Sequence, residues 1–423
     1  MSEAAAAPAK KPKRPLAPSM IKLNEQTAAM YENARQAKER GEMVGWSSSI
    51  FPQEIAQTLG VTVLYPENHS AGIAARHQAD PYLQKAEGEL GFSNDICAYA
   101  KVNLAYAEAM HEGGNLVLPD FLLCANNICN QLTKWYERLS ETMHIPLFFI
   151  DCCYNAEDYV TSSRVRYIRA QIDDVIEKLS AFTGKAWDED RFRRVMEISA
   201  QNNALWERAN ESLMHRPAPI NGFELFNYMG CMVCHRGEES TTEILQMLND
   251  EIDEHIRTGT STYPVKEEYR IFWDGIACWP YLSHNLRTLK SHGINMVASS
   301  YAKAWAIKYS DLDGMARAYS SCTTNNANIN AMVQRRTDAV RNYHCDGLVC
   351  HLNRSCKVMD CQMYEAQRQI SANTGAAYTI FDGDQADYRN YSEAQFETRI
   401  QGLVEVMKAK KEVQDHGGSD GIT

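Results

Sequence analysis

The stretch FLLCANNICNQLTKWY, Phe121 to Tyr136, changes character within a few residues, and that change restricts the folds open to the chain more than any other feature. Phe121 to Cys124 has the length and apolar content of a buried strand. Asn126, Asn127 and Cys129 interrupt it, and Ile128, Leu132, Trp135, Tyr136 and Leu139 then recur at helical spacing, so the segment reads as a strand, a short polar turn and an amphipathic helix. Cys129 falls close to the helix start. Backbone N–H groups and the positive end of the helix dipole favour a thiolate there, which makes Cys129 a better metal ligand or nucleophile than a cysteine inside a strand. An ordinary buried core cysteine is the competing reading.

The same alternation runs through much of the chain. Lys22 to Arg40 is helical in pattern, Met43 to Trp46 leads into Ser47, Ser48 and Ser49, and Ile50 to Leu59 is helix-like. Val61 to Tyr65 is a strand candidate ending in the loop residues Pro66, Glu67, Asn68 and His69, and Asp95 to Leu104, with Cys97, opens another helix. Phe121 to Cys124 and Pro146 to Ile150 supply further strands. Val165, Ile168, Ile172, Val175, Ile176 and Leu179 mark a long amphipathic helix, and helical patterning continues to about Ile256. Alternation then resumes, with strands at Tyr269 to Trp273, Ile294 to Ala298, Gly347 to His351 and Ala377 to Phe381. A closing helix is marked by a capping box, Ser392 and Gln395, and by the apolar face Phe396, Ile400, Leu403, Val404 and Met407.

The expected fold is therefore α/β, with two parallel-sheet lobes and a largely helical middle segment. The expected divisions are a disordered tail over 1–21, a first lobe over 22–160, a helical segment over 161–265 and a second lobe over 266–423. Ligands of such folds bind at the carboxyl ends of the strands, here in the cleft between the lobes.

Composition removes several functional classes. With 44 % hydrophobic and 23 % charged residues the chain has the balance of a soluble globular protein, and no run is long and apolar enough to span a membrane. The first residues carry Lys10, Lys11, Lys13 and Arg14 without a following apolar region, which is not the pattern of a secretory signal, so a cytoplasmic protein is expected. A net charge of -11, with no basic block outside that tail, argues against nucleic acid as a partner. Thirteen cysteines in a reducing compartment are expected to be reduced, mostly in the core, with a subset holding metal.

Cysteines fall at strand ends in both lobes: Cys97 and Cys129 in the first, and Cys356 after the strand Gly347 to His351 in the second. Three thiolates from distant loops suit an iron-sulfur cluster with one open iron, although no compact CxxC run supports it. Cys231 to His235, CMVCH, matches haem attachment but lies in an apolar helical stretch and belongs outside the cytoplasm, and zinc there lacks further ligands. Ser47, Ser48 and Ser49 read as caps for the helix near Ile50, with Pro52 in its first turn, and no GxSxG pattern surrounds them. Glu67 is either a solvated loop carboxylate or a functional group at a strand end. Neither a Walker A segment nor a GxGxxG after a strand is present, so the chain itself is not expected to bind ATP or a dinucleotide in the familiar ways.

Seven segments in order, GWSSSIFPQE (Gly45 to Glu54), LYPENHSAG (Leu64 to Gly72), NDICAYAKVNLAYA (Asn94 to Ala107), CANNICNQLTKWYE (Cys124 to Glu137), RPAPINGFELFNYM (Arg216 to Met229), HLNRSCK (His351 to Lys357) and FDGDQADYRNY (Phe381 to Tyr391), resemble the 2-hydroxyacyl-CoA dehydratase and benzoyl-CoA reductase family. They span nearly the whole chain and are most similar to the alpha subunits of the (R)-2-hydroxyglutaryl-CoA and lactoyl-CoA dehydratases. The resemblance implies a [4Fe-4S] cluster on Cys97, Cys129 and Cys356, with Cys124 the rival of Cys129. It also implies that Ser49 and Glu67 lie beside the open iron, Ser49 hydrogen-bonding the substrate or an iron-bound water and Glu67 handling a proton or steadying the leaving hydroxyl.

The implied reaction removes water from a 2-hydroxyacyl-CoA thioester through a ketyl radical anion. The β-hydrogen is barely acidic until an electron has been added and the α-hydroxyl expelled, and the electron is returned after deprotonation. The implied partners are a smaller homologous beta subunit and a separate iron-sulfur activator protein, which alone uses ATP. Two other readings stand beside this one. VASSYAK (Val297 to Lys303) and TTNNANI (Thr323 to Ile329) resemble the benzoyl-CoA reductase branch, whereas GWSSS and FDGDQAD favour a dehydratase. A non-catalytic electron-relay subunit would be marked by loss of Ser49 and Glu67, and both are present.

Overall fold

The computed structural model describes residues 15–111, 114–321 and 327–417. Thr323 to Asn326 of the TTNNANI segment and residues 1–14 of the expected tail lie outside the described residues. Helix α1, Pro18–Glu39, begins inside the segment 1–21. Proline at a first helical position costs no hydrogen bond, and Ser19 ties this start to the helical middle. Its N–H donates to Glu251 Oε1 at 2.9 Å, and its Oγ lies 2.6 Å from the Tyr228 hydroxyl.

The first lobe runs β1 (Val44–Ser47), α2 (Gln53–Leu59), β2 (Thr62–Leu64), α3 (Pro66–Ala75), α4 (Asp80–Gly88), α5 (Ala98–Ala105), β3 (Phe121–Ala125), α6 (Asn130–Met143) and β4 (Leu147–Ile150). Its strands form a parallel sheet in the order β2-β1-β3-β4. Every residue of β1 and β3 is buried, as expected of parallel strands covered on both faces. Helix α6 buries the expected face, Leu132, Trp135, Tyr136 and Leu139.

Four long or buried helices follow: α7 (Ser162–Thr183), α8 (Glu189–Glu211), α9 (Leu225–Cys234) and α10 (Glu239–Thr258). They are not a free-standing block. Helix α7 packs on β4, α8 on α2 and α10, and α10 on α1.

The second lobe comprises β5 (Tyr269–Asp274), α11 (Leu282–Ser291), β6 (Ile294–Ser299), α12 (Ser300–Lys303), α13 (Leu312–Tyr319), α14 (Ile329–Asn342), β7 (Gly347–Asn353), α15 (Lys357–Thr374), β8 (Ala377–Gly383) and α16 (Glu393–Gly417). Its sheet is also parallel, ordered β6-β5-β7-β8. The Ser392 hydroxyl accepts from the Gln395 N–H at 3.4 Å just ahead of α16, as the capping box implied. Counted within each lobe the strand order is the same, with the second strand outside the first and the third on its other side. The order in which strands are added therefore reverses in each sheet between its first and third strands, at β1/β3 and at β5/β7, and these are the switch points where α/β folds open a crevice. Gly275, just past β5, holds φ at +108°, and a Cβ there would lie 2.8 Å from the His351 carbonyl oxygen, so only glycine permits β5 and β7 to end this close together.

Three local expectations are corrected. Met43 to Trp46 shows no strand pattern, yet Val44–Ser47 is the central strand β1. Its four residues are too few for a period to show, and burial on both faces removes any alternation. Glu67 is not in a loop: Pro66 starts α3 directly, with Glu67 in its first turn. The serines do not cap the next helix, because α2 begins at Gln53 behind Pro52 with no side-chain cap. Ser48 Oγ instead accepts from the Ala125 N–H at 3.3 Å, joining the carboxyl ends of β1 and β3.

Candidate active site

The carboxyl ends of both sheets face one cavity of about 570 Å³, whose walls include Ser49, Glu67, Cys97, Cys129 and Cys356. All five residues selected from the sequence thus meet at one place. Each cysteine sits at a helix start: Cys97 is the N-cap of α5, Cys129 of α6 and Cys356 of α15. Cys129 and Cys356 occupy corresponding positions, each closing the short turn after the third strand of its lobe. Cys124 lies within β3, fully buried, with its Sγ directed at the Ala125 carbonyl.

Donors surround the sulfurs. Cys129 Sγ accepts the Leu132 N–H at 3.3 Å, and Cys97 Sγ accepts Gln385 Nε2 at 3.0 Å from the opposite lobe. Gln385 is itself fixed by Asn353, whose Nδ2 donates to Gln385 Oε1 at 2.8 Å. Asp384 holds the same loop, accepting the N–H groups of Ser355, Ala386 and Asp387, and Ser355 Oγ accepts the Ala98 N–H at 3.1 Å. Cysteine-bearing turns of the two lobes are therefore bonded to one another.

The helix starts do not by themselves make thiolates. Burial pushes the Cys97 thiol up to about 12 despite the N–H groups of Ala100 and Tyr99, raises Cys129 against those of Leu132 and Gln131, and raises Cys356 further, with Cys129 and Cys97 adding to it. Thiols in this state give up their protons when a cation binds the sulfur and stabilises the thiolate. Among the described residues no three His, Cys, Asp or Glu side chains converge tightly enough for a single metal ion. Three thiols spaced around a wider cavity, with N–H donors on two of the sulfurs, instead fit the donor set of a [4Fe-4S] cluster held by three cysteines.

Ser49 and Glu67 form a pair. The Ser49 N–H and Oγ–H both donate to Glu67 Oε1, at 3.0 and 2.9 Å, and the Tyr136 hydroxyl reaches Oε2 at 3.4 Å. Burial raises the Glu67 carboxyl from its ordinary value, with the two Ser49 donors acting in the opposite direction. Of the three serines, Ser49 is the one on the cavity wall.

Several wall residues carried no assigned role in the sequence reading. Gln385 lies on the wall in the FDGDQAD loop at the end of β8, where the carboxyl-end rule could have pointed to it, and Asp384 beside it holds that loop. Phe226, Trp279 and Tyr301 had no distinguishing signal, because an aromatic residue facing a cavity has the same pattern as one facing the core. Cys231 and Cys234 of the CMVCH stretch are buried in α9, and His235 Nδ1 is 3.0 Å from Glu238 Oε1.

Comparison with known proteins gives consistent results. Residues 48–407 match the family described as 2-hydroxyglutaryl-CoA dehydratase, D-component. The chain is 48 % identical over 393 residues to the (R)-phenyllactyl-CoA dehydratase alpha subunit of Clostridium sporogenes, covering 93 % of this chain and 96 % of that protein. It is 46 % identical over 400 residues to the (R)-2-hydroxyisocaproyl-CoA dehydratase alpha subunit of Clostridioides difficile, covering 93 % and 97 %. With the (R)-2-hydroxyglutaryl-CoA dehydratase alpha subunit of Acidaminococcus fermentans the identity is 36 % over 471 residues, covering 94 % and 98 %. No helix among the described residues is long and apolar enough to cross a membrane.

Proposed function

The chain belongs to the 2-hydroxyglutaryl-CoA dehydratase D-component family, and from that premise we propose that it is the catalytic alpha subunit of an (R)-2-hydroxyacyl-CoA dehydratase. The observation that carries the proposal is the convergence of three helix-start thiols from both lobes with the Ser49–Glu67 pair on one cavity wall. Relatives named as alpha subunits support a heterodimer with a smaller beta subunit. A separate ATP-using activator would supply the starting electron, and the substrate passes through a ketyl radical on its way to the enoyl-CoA. When bound, the [4Fe-4S] cluster supplies one-electron chemistry and an iron with a free position. Cys97, Cys129 and Cys356 would hold it, and Gln385 and the Leu132 N–H would orient two of the sulfurs.

Proton handling falls to this chain's own side chains. In the relay the Ser49–Glu67 hydrogen bond reverses: the departing hydroxyl takes the Ser49 Oγ proton and protonated Glu67, 2.9 Å away, replaces it, so water leaves and Glu67 becomes a carboxylate. That carboxylate is then the base for the β-proton, which restores the starting state. The raised Glu67 carboxyl suits this role, because a protonated fraction persists above the ordinary glutamate range.

Glu67→Gln is expected to lower kcat by about 100- to 10,000-fold, the usual range for a general acid–base, with bound iron unchanged. The wild-type kcat/KM should fall as pH rises through the raised Glu67 value, and the variant's residual rate should lack that limb. A pH–rate profile of both, with iron analysis, checks this; a Gln variant of unaltered profile removes Glu67 from the proton path.

The test of the function is anaerobic co-purification with the beta subunit and activator, followed by assay with 2-hydroxyacyl-CoA thioesters and benzoyl-CoA, ATP and a strong reductant. Turnover of a hydroxyacyl-CoA that needs ATP only to start is expected. ATP consumed in step with benzoyl-CoA loss would make the protein a reductase.

A further inference from the structure

The cavity has two unlike ends. Its mouth lies among α1, α3 and α9, where the exposed Asn24, Thr27, Arg76 and Asn227 line the rim. Its inner end is walled by the thiols, the Ser49–Glu67 pair and an aromatic surface. Phe226 meets Tyr301 edge-on with centroids 5.7 Å apart and Trp279 at 6.3 Å, and Trp279 Nε1 donates to the Tyr99 hydroxyl at 2.6 Å, which fixes the indole.

Charge is distributed unevenly along this path. Among the described lining residues the single Lys or Arg is Arg76, at the mouth. Neither histidine on the wall replaces a cation deeper in. His69 is held neutral, its value lowered to about 4 by burial, and His235 is directed at Glu238. A carboxylate carried to the inner end would find no Lys or Arg among the described lining residues to pair with.

Resting on the acyl-CoA reading above, we propose that the acyl side chain accepted at the inner end is uncharged and bulky, branched aliphatic or aromatic, and that Phe226, Trp279 and Tyr301 pack it. Arg76 at the mouth is then the cation for the phosphates of the CoA portion, so the thioester enters acyl end first. A side chain ending in carboxylate, such as the glutaryl group, is excluded by charge rather than by size.

The test is binding of three thioesters without the 2-hydroxyl, which cannot turn over: 4-methylpentanoyl-CoA, 3-phenylpropanoyl-CoA and glutaryl-CoA. Titration calorimetry on the anaerobic heterodimer is expected to give roughly 100-fold tighter binding for the first two than for glutaryl-CoA, as befits an unpaired buried charge. Phe226→Ala should weaken those two by about tenfold, the scale of one lost apolar contact surface, and leave glutaryl-CoA unaffected. Glutaryl-CoA binding as tightly as the others in the unaltered protein overturns the proposal while leaving the dehydratase reading intact. Equal weakening of all three by Phe226→Ala overturns the role of the aromatic wall. If none of them binds, nor acetyl-CoA, the acyl-CoA reading fails and this proposal with it.

Discussion

Cys129→Ala is expected to strip most of the bound iron from the anaerobically purified protein and to abolish dehydration. Cys129 closes the turn after β3, faces the cavity and receives the Leu132 N–H on its sulfur. Groups that merely orient a metal ligand are typically worth about 10- to 100-fold in metal affinity or activity, so loss of a ligand should exceed that. Cys124→Ala is the informative control. That thiol lies five residues earlier, inside the strand, and its removal should leave iron unchanged and cost about 1 kcal/mol of stability, the ordinary price of a small core truncation. Iron and sulfide analysis of both variants, with absorption spectra of the cluster, decides between them. Iron kept by Cys129→Ala and lost by Cys124→Ala would transfer the ligand role to the strand.

Arg236→Met should produce the largest loss of stability. Glu54 on α2 is fully buried and bonded on all sides. Arg236 Nε and Nη2 reach its two oxygens at 2.9 and 3.1 Å, Ser199 on α8 donates at 2.7 Å, and Tyr309 from the second lobe donates at 2.7 Å. Removing the cation leaves an uncompensated carboxylate where first lobe, helical middle and second lobe meet, a change that typically costs about 3–5 kcal/mol. Urea denaturation under anaerobic conditions measures it, and the double variant Glu54→Leu, Arg236→Met should recover part of the loss. Burial alone would raise the Glu54 carboxyl, but Arg236 and the hydroxyl donors hold it below its ordinary value. Its contribution to stability is therefore present above the ordinary glutamate range and lost as pH falls through the lowered folded value. A denaturation midpoint unaffected by Arg236→Met would mean that the pair contributes nothing at this junction.

Much of this architecture was readable because long-range burial left a local trace. FLLCANNICNQLTKWY announced strand, turn and helix, and Cys129 lies at the helix start as that pattern implied. Central strand β1 left no such trace, being four residues long and buried on both faces. Glu67 and Ser49 were found, but for partly wrong local reasons. Ser49 caps nothing; it binds the Glu67 carboxyl group, a contact between residues from neighbouring strand ends that no local propensity encodes. The buried Glu54–Arg236 pair was invisible for the same reason, since Glu54 sits on α2, Arg236 just past α9, and their hydroxyl partners on α8 and in the second lobe.

The two sheets share one strand order, and the thiols after their third strands are counterparts, one from each lobe. A prosthetic group held by both, as proposed, would thus also be a clasp. It would convert the wide loop of polypeptide between the first and second lobes into a closed ring, and closing a ring of that size restricts the unfolded chain far more than it restricts the folded one. Loading the group would then add a latch to the direct bonds between the cysteine-bearing turns, and a chain stripped of it would lose that latch together with its redox chemistry.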